Sequence, residues 1–78
     1  MEINVIKNSG EIEPLDLNKI RTACLRSGAS QIIVNNVIHE IPVFLYDGIT
    51  TKEIYQRVRG LLKKYSVYSE IRFRLKEA

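Results

Sequence analysis

The chain has no tryptophan, one histidine, one cysteine and four glycines in 78 residues. A lone Cys24 makes no internal disulfide, which excludes the stapled framework of small secreted folds and sets the expectation of a cytoplasmic protein. One His and one Cys do not build a zinc site of the usual kinds. The glycines, Gly10, Gly28, Gly48 and Gly60, form neither G-x-x-x-x-G-K-[ST] nor G-x-G-x-x-G, so there is no P-loop and no Rossmann phosphate cradle. No apolar run approaches the roughly 18 residues of a membrane span. Met1-Glu2-Ile3-Asn4 lacks the basic-then-apolar opening of a secretory signal. No membrane partner is therefore expected. No nucleophile–base pair, carboxylate dyad or metal cluster stands out, which argues against a self-contained enzyme. No catalytic residue and no metal ligand is assigned.

What is present is the composition of one small folded domain, 45% hydrophobic and 27% charged. A chain this short buries only about 60% of the surface its unfolded form exposes, so the core is thin. Charge is uneven along it. Residues 1–51 carry four basic and six acidic side chains, a net −2; residues 52–78 carry eight and three, a net +5. Two readings of that basic third stand: a surface for an anion, or helices that turn a cationic face to water.

Ile3 to Lys7 and Glu11 to Glu13 alternate around Asn8-Ser9-Gly10, the pattern of a β-hairpin. Pro14 puts the second strand at an edge. Asp16 is placed to cap a helix carrying Leu17, Ile20 and Cys24, ended by Gly28. Ser30 caps a second, with Val34, Val37, Ile38 and Ile41 inward, and Pro42 stops it near Glu40–Ile41. Asp47-Gly48 marks a turn and Ile49 a short strand contact. Thr50 and Thr51 compete to cap a third helix with Ile54, Val58, Leu61 and Leu62 on one face. A fourth is expected from about Val67, with Ile71, Leu75 and Ala78. Its apolar stripe meets no stop signal before the last residue, which suggests a domain trimmed from the N-terminus of a larger protein. The fold class expected is α+β: a small three-stranded β lid, the hairpin plus a short strand, on a four-helix bundle.

The segment Val5-Ile6-Lys7-Asn8-Ser9-Gly10, four further residues, then Leu15-Asp16-Leu17-Asn18-Lys19-Ile20 resembles the start of the ATP-cone domain. That family opens V-x-K-R-[DN]-G, four variable residues, an apolar residue, then [DN]-x-x-K-[IL]. Ile49-Thr50-Thr51-Lys52-Glu53-Ile54 is similar to the family's second signature, an Ile, a Thr or Ser, and Glu-Ile opening a helix. The order of elements matches over nearly all of residues 1–78.

The resemblance implies a regulatory module that binds ATP or dATP, with Mg as a companion ion, between lid and bundle. It implies control of the activity or oligomerisation of a downstream domain in the same chain, with a homo-oligomer as a further partner and DNA met only through an attached domain. On this reading Lys7, ending a strand, and Lys19, one turn into a helix, aim at one polyphosphate. Thr50 and Thr51 open a helix whose N–H groups suit an anion, although capping alone explains them too. Val5, Ile20, Leu45 and Tyr46 form an apolar wall for a purine, and Glu13 accepts from the adenine amino group or a ribose hydroxyl. Tyr46 and Tyr55 are either stacking platforms or half-buried core rims. Asn8 stands where the family has Arg, and Ser9 where it has Asp or Asn. Asn lacks the charged bidentate fork, so Arg21 or Arg72 would have to stand in, or binding is weak. The alternatives are a degenerate cone that serves as a protein- or nucleic-acid-interaction scaffold, and a nucleic-acid module using Lys52, Arg59, Lys63, Arg72 and Lys76.

Overall fold

A computed structural model of the chain describes residues 3–66, together with 71 and 72. Strand β1 (Asn4–Ile6) and strand β2 (Ile12–Pro14) are joined by the expected turn. The Lys7 N–H donates to the Glu11 carbonyl and the Gly10 N–H to the Lys7 carbonyl, both at 2.8 Å. Gly10 sits at φ +90°, where a side chain would be strained. The pairing is antiparallel, with Val5 opposite Glu13 and Ile6 opposite Ile12.

Helix α1 (Leu17–Arg26) starts where Asp16 accepts the Asn18 N–H at 2.9 Å. It ends at Ser27, whose buried hydroxyl donates to the Cys24 carbonyl at 2.5 Å. Helix α2 (Gln31–Glu40) is capped by Ser30, whose hydroxyl oxygen accepts the Ile33 N–H. Pro42 forces a 3₁₀ turn over Ile41–Val43, because its ring has no N–H and clashes with the preceding turn. Strand β3 (Ile49–Thr50) then lies parallel to β1, giving the sheet order β2-β1-β3. The loop before it is tied down at Asn4: the Asn4 N–H donates to Asp47 Oδ1 at 2.8 Å, and its carbonyl accepts the Gly48 N–H at 2.9 Å. Helix α3 (Thr51–Tyr65) follows with no intervening residue. Thr50 wins the cap, its Oγ1 accepting the Glu53 N–H at 3.1 Å.

The core joins Val5 and Ile49 of the sheet to Ile20 and Cys24 of α1, Val34 and Val37 of α2, Ile41, and Ile54, Val58 and Leu62 of α3. The α+β class and the three-stranded sheet stand. The bundle count differs: three helices are present among the described residues. The helix expected from Val67 lies largely outside them; Ile71 and Arg72, which are described, are helical and exposed. Leu17 also departs from its expected inward role and is exposed. It is the first residue of α1, one turn before the buried stripe begins at Ile20.

Candidate functional site

Alternation along a strand places Val5 and Lys7 on one face of the sheet. The register sets Glu13 opposite Val5 on that same face, so Lys7 and Glu13 are diagonal neighbours within reach of long side chains. Only Leu15 and Asp16 separate β2 from α1. That short link brings Lys19, in the first turn of the helix, up to the same carboxylate. Lys19 Nζ lies 3.6 Å from Glu13 Oε1, and Lys7 Nζ lies 3.9 Å from Glu13 Oε2. Two ammonium groups, one from the sheet and one from the helix, thus bracket one anion. Both lysines are substantially exposed, 43% for Lys7 and 63% for Lys19, so these pairs contribute at most about 1 kcal/mol each.

Behind them lies a narrow cleft of about 50 Å³. The sheet contributes Val5 and Glu13, α1 contributes Lys19 and Ile20, and α3 contributes Thr51, Ile54 and Tyr55. Past Lys19 it continues into an open hollow of about 420 Å³, and the two share Asp16, Lys19 and Tyr55. Small-molecule sites span roughly 300–1,000 Å³; the cleft is below that range and the hollow is within it.

The cleft mixes apolar walls (Val5, Leu15, Ile20, Ile54) with charged edges at Glu13, Asp16 and Lys19. A family model of the ATP cone domain matches residues 3–76. The chain belongs to the ATP-cone family. The ATP cone is a nucleotide-binding regulatory module rather than a catalytic one, and such cones bind ATP and dATP as allosteric effectors. No match is found among curated proteins. Among the described residues of this cone no three His, Cys, Asp or Glu side chains are grouped to hold a metal ion. No helix among them is long and apolar enough to cross a membrane.

The residues expected at a nucleotide site fall at several places in the fold. Val5, Glu13, Lys19, Ile20, Thr51 and Tyr55 line the cleft, and Lys7 reaches it through Glu13. Thr50 is occupied as the cap of α3. Asn8 is exposed in the hairpin turn. Leu45 is half-buried against the core, and neither it nor Tyr46 lines the cleft. The Tyr46 hydroxyl instead donates to Glu53 Oε1 at 2.5 Å, a bond that raises the phenol's pKa. Arg21, one of the stand-ins for the absent family Arg, donates from Nη1 to Asn35 Oδ1 of α2 at 2.8 Å and so ties α1 to α2. Cys24 is buried, and burial pushes its thiol up to about 11 despite the opposing charge of Arg21.

Sequence reasoning missed Pro14, Leu15, Asp16 and Ile54 in the cleft, and Asn18, Thr22, Ala23 and Arg26 in the hollow. A signal for the hollow was present. Lys19, Thr22, Ala23 and Arg26 stand at i, i+3, i+4 and i+7, one face of a helix. That face reads as solvated until α3 is placed beside it with Tyr55.

Proposed function

We propose that this cone is an adenine-nucleotide sensor: ATP or dATP enters the seam between sheet and helices, and its occupancy sets the activity or association of an attached domain. One observation supports this most directly. Lys7 of the lid and Lys19 of the bundle already converge on a single carboxylate group, that of Glu13. Exposed pairs this loose cost little to open, whereas charge-assisted hydrogen bonds to phosphate are worth about 1.5–3 kcal/mol. An arriving phosphate therefore takes both lysines from Glu13.

In this reading Val5, Ile20 and Tyr55 face the purine, and the released Glu13 accepts from the adenine amino group or a ribose hydroxyl. Thr51 and the first N–H groups of α3 add donors toward the ligand. Leu45 and Tyr46 have no part in it. Mg²⁺ is held mainly through nucleotide phosphates rather than an all-protein cage, so it belongs to the ligand here. A cytoplasmic setting goes with the reading. Regulation needs the nucleotide to bind one conformation or assembly better than another, because equal affinity for both shifts nothing.

The test is a thermal-shift and calorimetric titration of ATP, dATP, ADP and GTP against wild type, Lys7→Ala and Lys19→Ala. At 100 times its dissociation constant a ligand adds about 2.7 kcal/mol, on the order of 10 °C or more for a domain this small. Each lysine variant is expected to lose roughly ten- to more than a hundredfold in ATP affinity. A folded wild type that shows no shift in millimolar ATP or dATP defeats the reading. A second reading is favoured by Asn8 and Ser9, both exposed at the hairpin tip where the family has Arg and Asp or Asn: a degenerate cone that is a scaffold for protein or nucleic acid. It predicts no nucleotide shift. For a nucleic-acid partner it predicts DNA binding that collapses with salt.

A further inference from the structure

The seam is balanced in charge. Lys7 and Lys19 face Glu13, and Asp16 lines this cleft as well as the hollow beyond it; the four sum to +2 − 2 = 0. By exchanging Glu13 for a ligand oxygen the seam anchors one phosphate, but it has no positive charge left for the rest of a phosphate chain. The cleft is also narrow, at about 50 Å³, so a nucleotide that enters the seam extends past Lys19. The larger volume and a further cation lie together on the other side of Lys19. The hollow there holds about 420 Å³ and is lined by Asn18, Thr22, Ala23 and Arg26 of α1, with Tyr55 facing them from α3.

Helix geometry explains which arginine is there. Arg26 follows Lys19 by seven residues, about 10 Å along the axis and only about 20° around it. Arg21 points about 140° away from Arg26 around the helix, toward Asn35 of α2. Thr22 lies between Lys19 and Arg26 on the same face. Arg26 carries the planar fork that matches phosphate oxygens two at a time, the chemistry that Asn8 at the hairpin tip does not supply.

We propose that the hollow over α1 is the polyphosphate arm of this site, with Arg26 as its distal cation, Thr22 as a hydroxyl donor along the way, and Lys19 shared with the base-binding seam. The proposal rests on the reading above that the seam takes an adenine nucleotide, and it deepens that reading by naming what measures the number of phosphates. The cone then discriminates ATP from AMP by a residue of the last turn of α1, not by the hairpin.

The experiment is a calorimetric titration of AMP, ADP and ATP with wild type, Arg26→Gln, Arg26→Lys and Thr22→Val. Wild type is expected to bind more tightly with each added phosphate. Arg26→Gln should lose roughly ten- to more than a hundredfold for ATP with AMP affinity unchanged. Arg26→Lys should recover part of the loss, since the charge remains and the fork does not. Thr22→Val should lose about two- to tenfold for ATP. The arm is refuted by Arg26→Gln binding ATP as wild type does, by an equal loss for AMP and ATP, or by wild type binding AMP as tightly as ATP. Each of these leaves nucleotide binding in the seam standing. A wild type that binds none of the three removes the seam reading and the arm with it.

Discussion

Helix α3 has a carboxylate bracketed by two donors near each of its ends, and the two are built differently. Near its N-terminus, Glu13 meets Lys7 and Lys19 at 3.9 and 3.6 Å, charge pairs too long for a good hydrogen bond. At its C-terminus, Glu40 of α2 accepts from Lys64 Nζ at 3.2 Å on one oxygen and from the Tyr65 hydroxyl in a short bond on the other. Lys64 also stands 5.4 Å over the Tyr65 ring. The Tyr65 bond first, and Lys64 after it, hold the Glu40 carboxyl below the usual carboxylate range; the same contacts raise both donors. One cluster is a clip that fixes α2 to α3. The other is a looser triad of exposed charge pairs. The two kinds stand at separate places, near opposite ends of α3.

The comparison can be broken or sharpened in three ways beyond the nucleotide titrations. The largest effect is expected from Leu62→Ala, in the last turn of α3 beneath the clip, where the side chain is fully buried. Truncating a buried leucine costs about 2–5 kcal/mol, which lowers Tm on the order of 10 °C or more in a domain this size. A small loss in a thermal melt would mean that the clip end is not anchored in the core.

Next is the alkaline limb of stability. The buried Cys24 thiol titrates at about 11 against 9.0 when unperturbed. Its folded pKa is raised, so between roughly pH 9 and 11 the unfolded chain loses the thiol proton and the folded chain keeps it. Stability then falls with rising pH across that window. Cys24→Ala should flatten this limb in denaturant melts recorded from pH 8 to 11, and an unchanged slope would contradict the assignment. Wild-type Cys24 should also resist thiol reagents until the chain unfolds.

The smallest effects separate the two carboxylates directly. Glu13→Gln should move Tm by no more than a few degrees, and Glu40→Gln should lower it by more. Glu40's folded pKa is depressed, so the clip contributes above the ordinary carboxylate pKa and is lost as pH falls through the depressed value. Melts between pH 2 and 6 should therefore show the two variants converging in acid. Equal Tm values at pH 7 would erase the distinction between clip and triad.

Much of the frame was legible because it is local. Asp16, Ser30 and Thr50 cap their helices by accepting N–H groups two or three residues on, and Pro42 stops α2 by its covalent shape. The meeting of Lys7 with Glu13 follows from hairpin register, another short-range fact. Contacts between elements were not legible. Glu40 and Lys64 are 24 residues apart, and nothing in either segment marks the other as its partner. Tyr46 offered an aromatic face in sequence, but its hydroxyl is bound by Glu53 one helical turn into α3. Arg21 and Arg26 look interchangeable in a list of cations; only the phase of α1 against α2 and α3 sends one to Asn35 and the other to the hollow.

Strand β3 runs into helix α3 with no residue between them. There is no slack at that junction, so a tilt of the sheet is handed whole to the helix, which acts as a lever. Fifteen residues make α3, and its rise per residue gives a rod of about 22 Å, whose far end swings by about 4 Å for every roughly 10° at the pivot. The Lys64 and Tyr65 contacts join the far end of that rod to Glu40 of α2, at the opposite end of the helix from the cleft lined by Thr51, Ile54 and Tyr55.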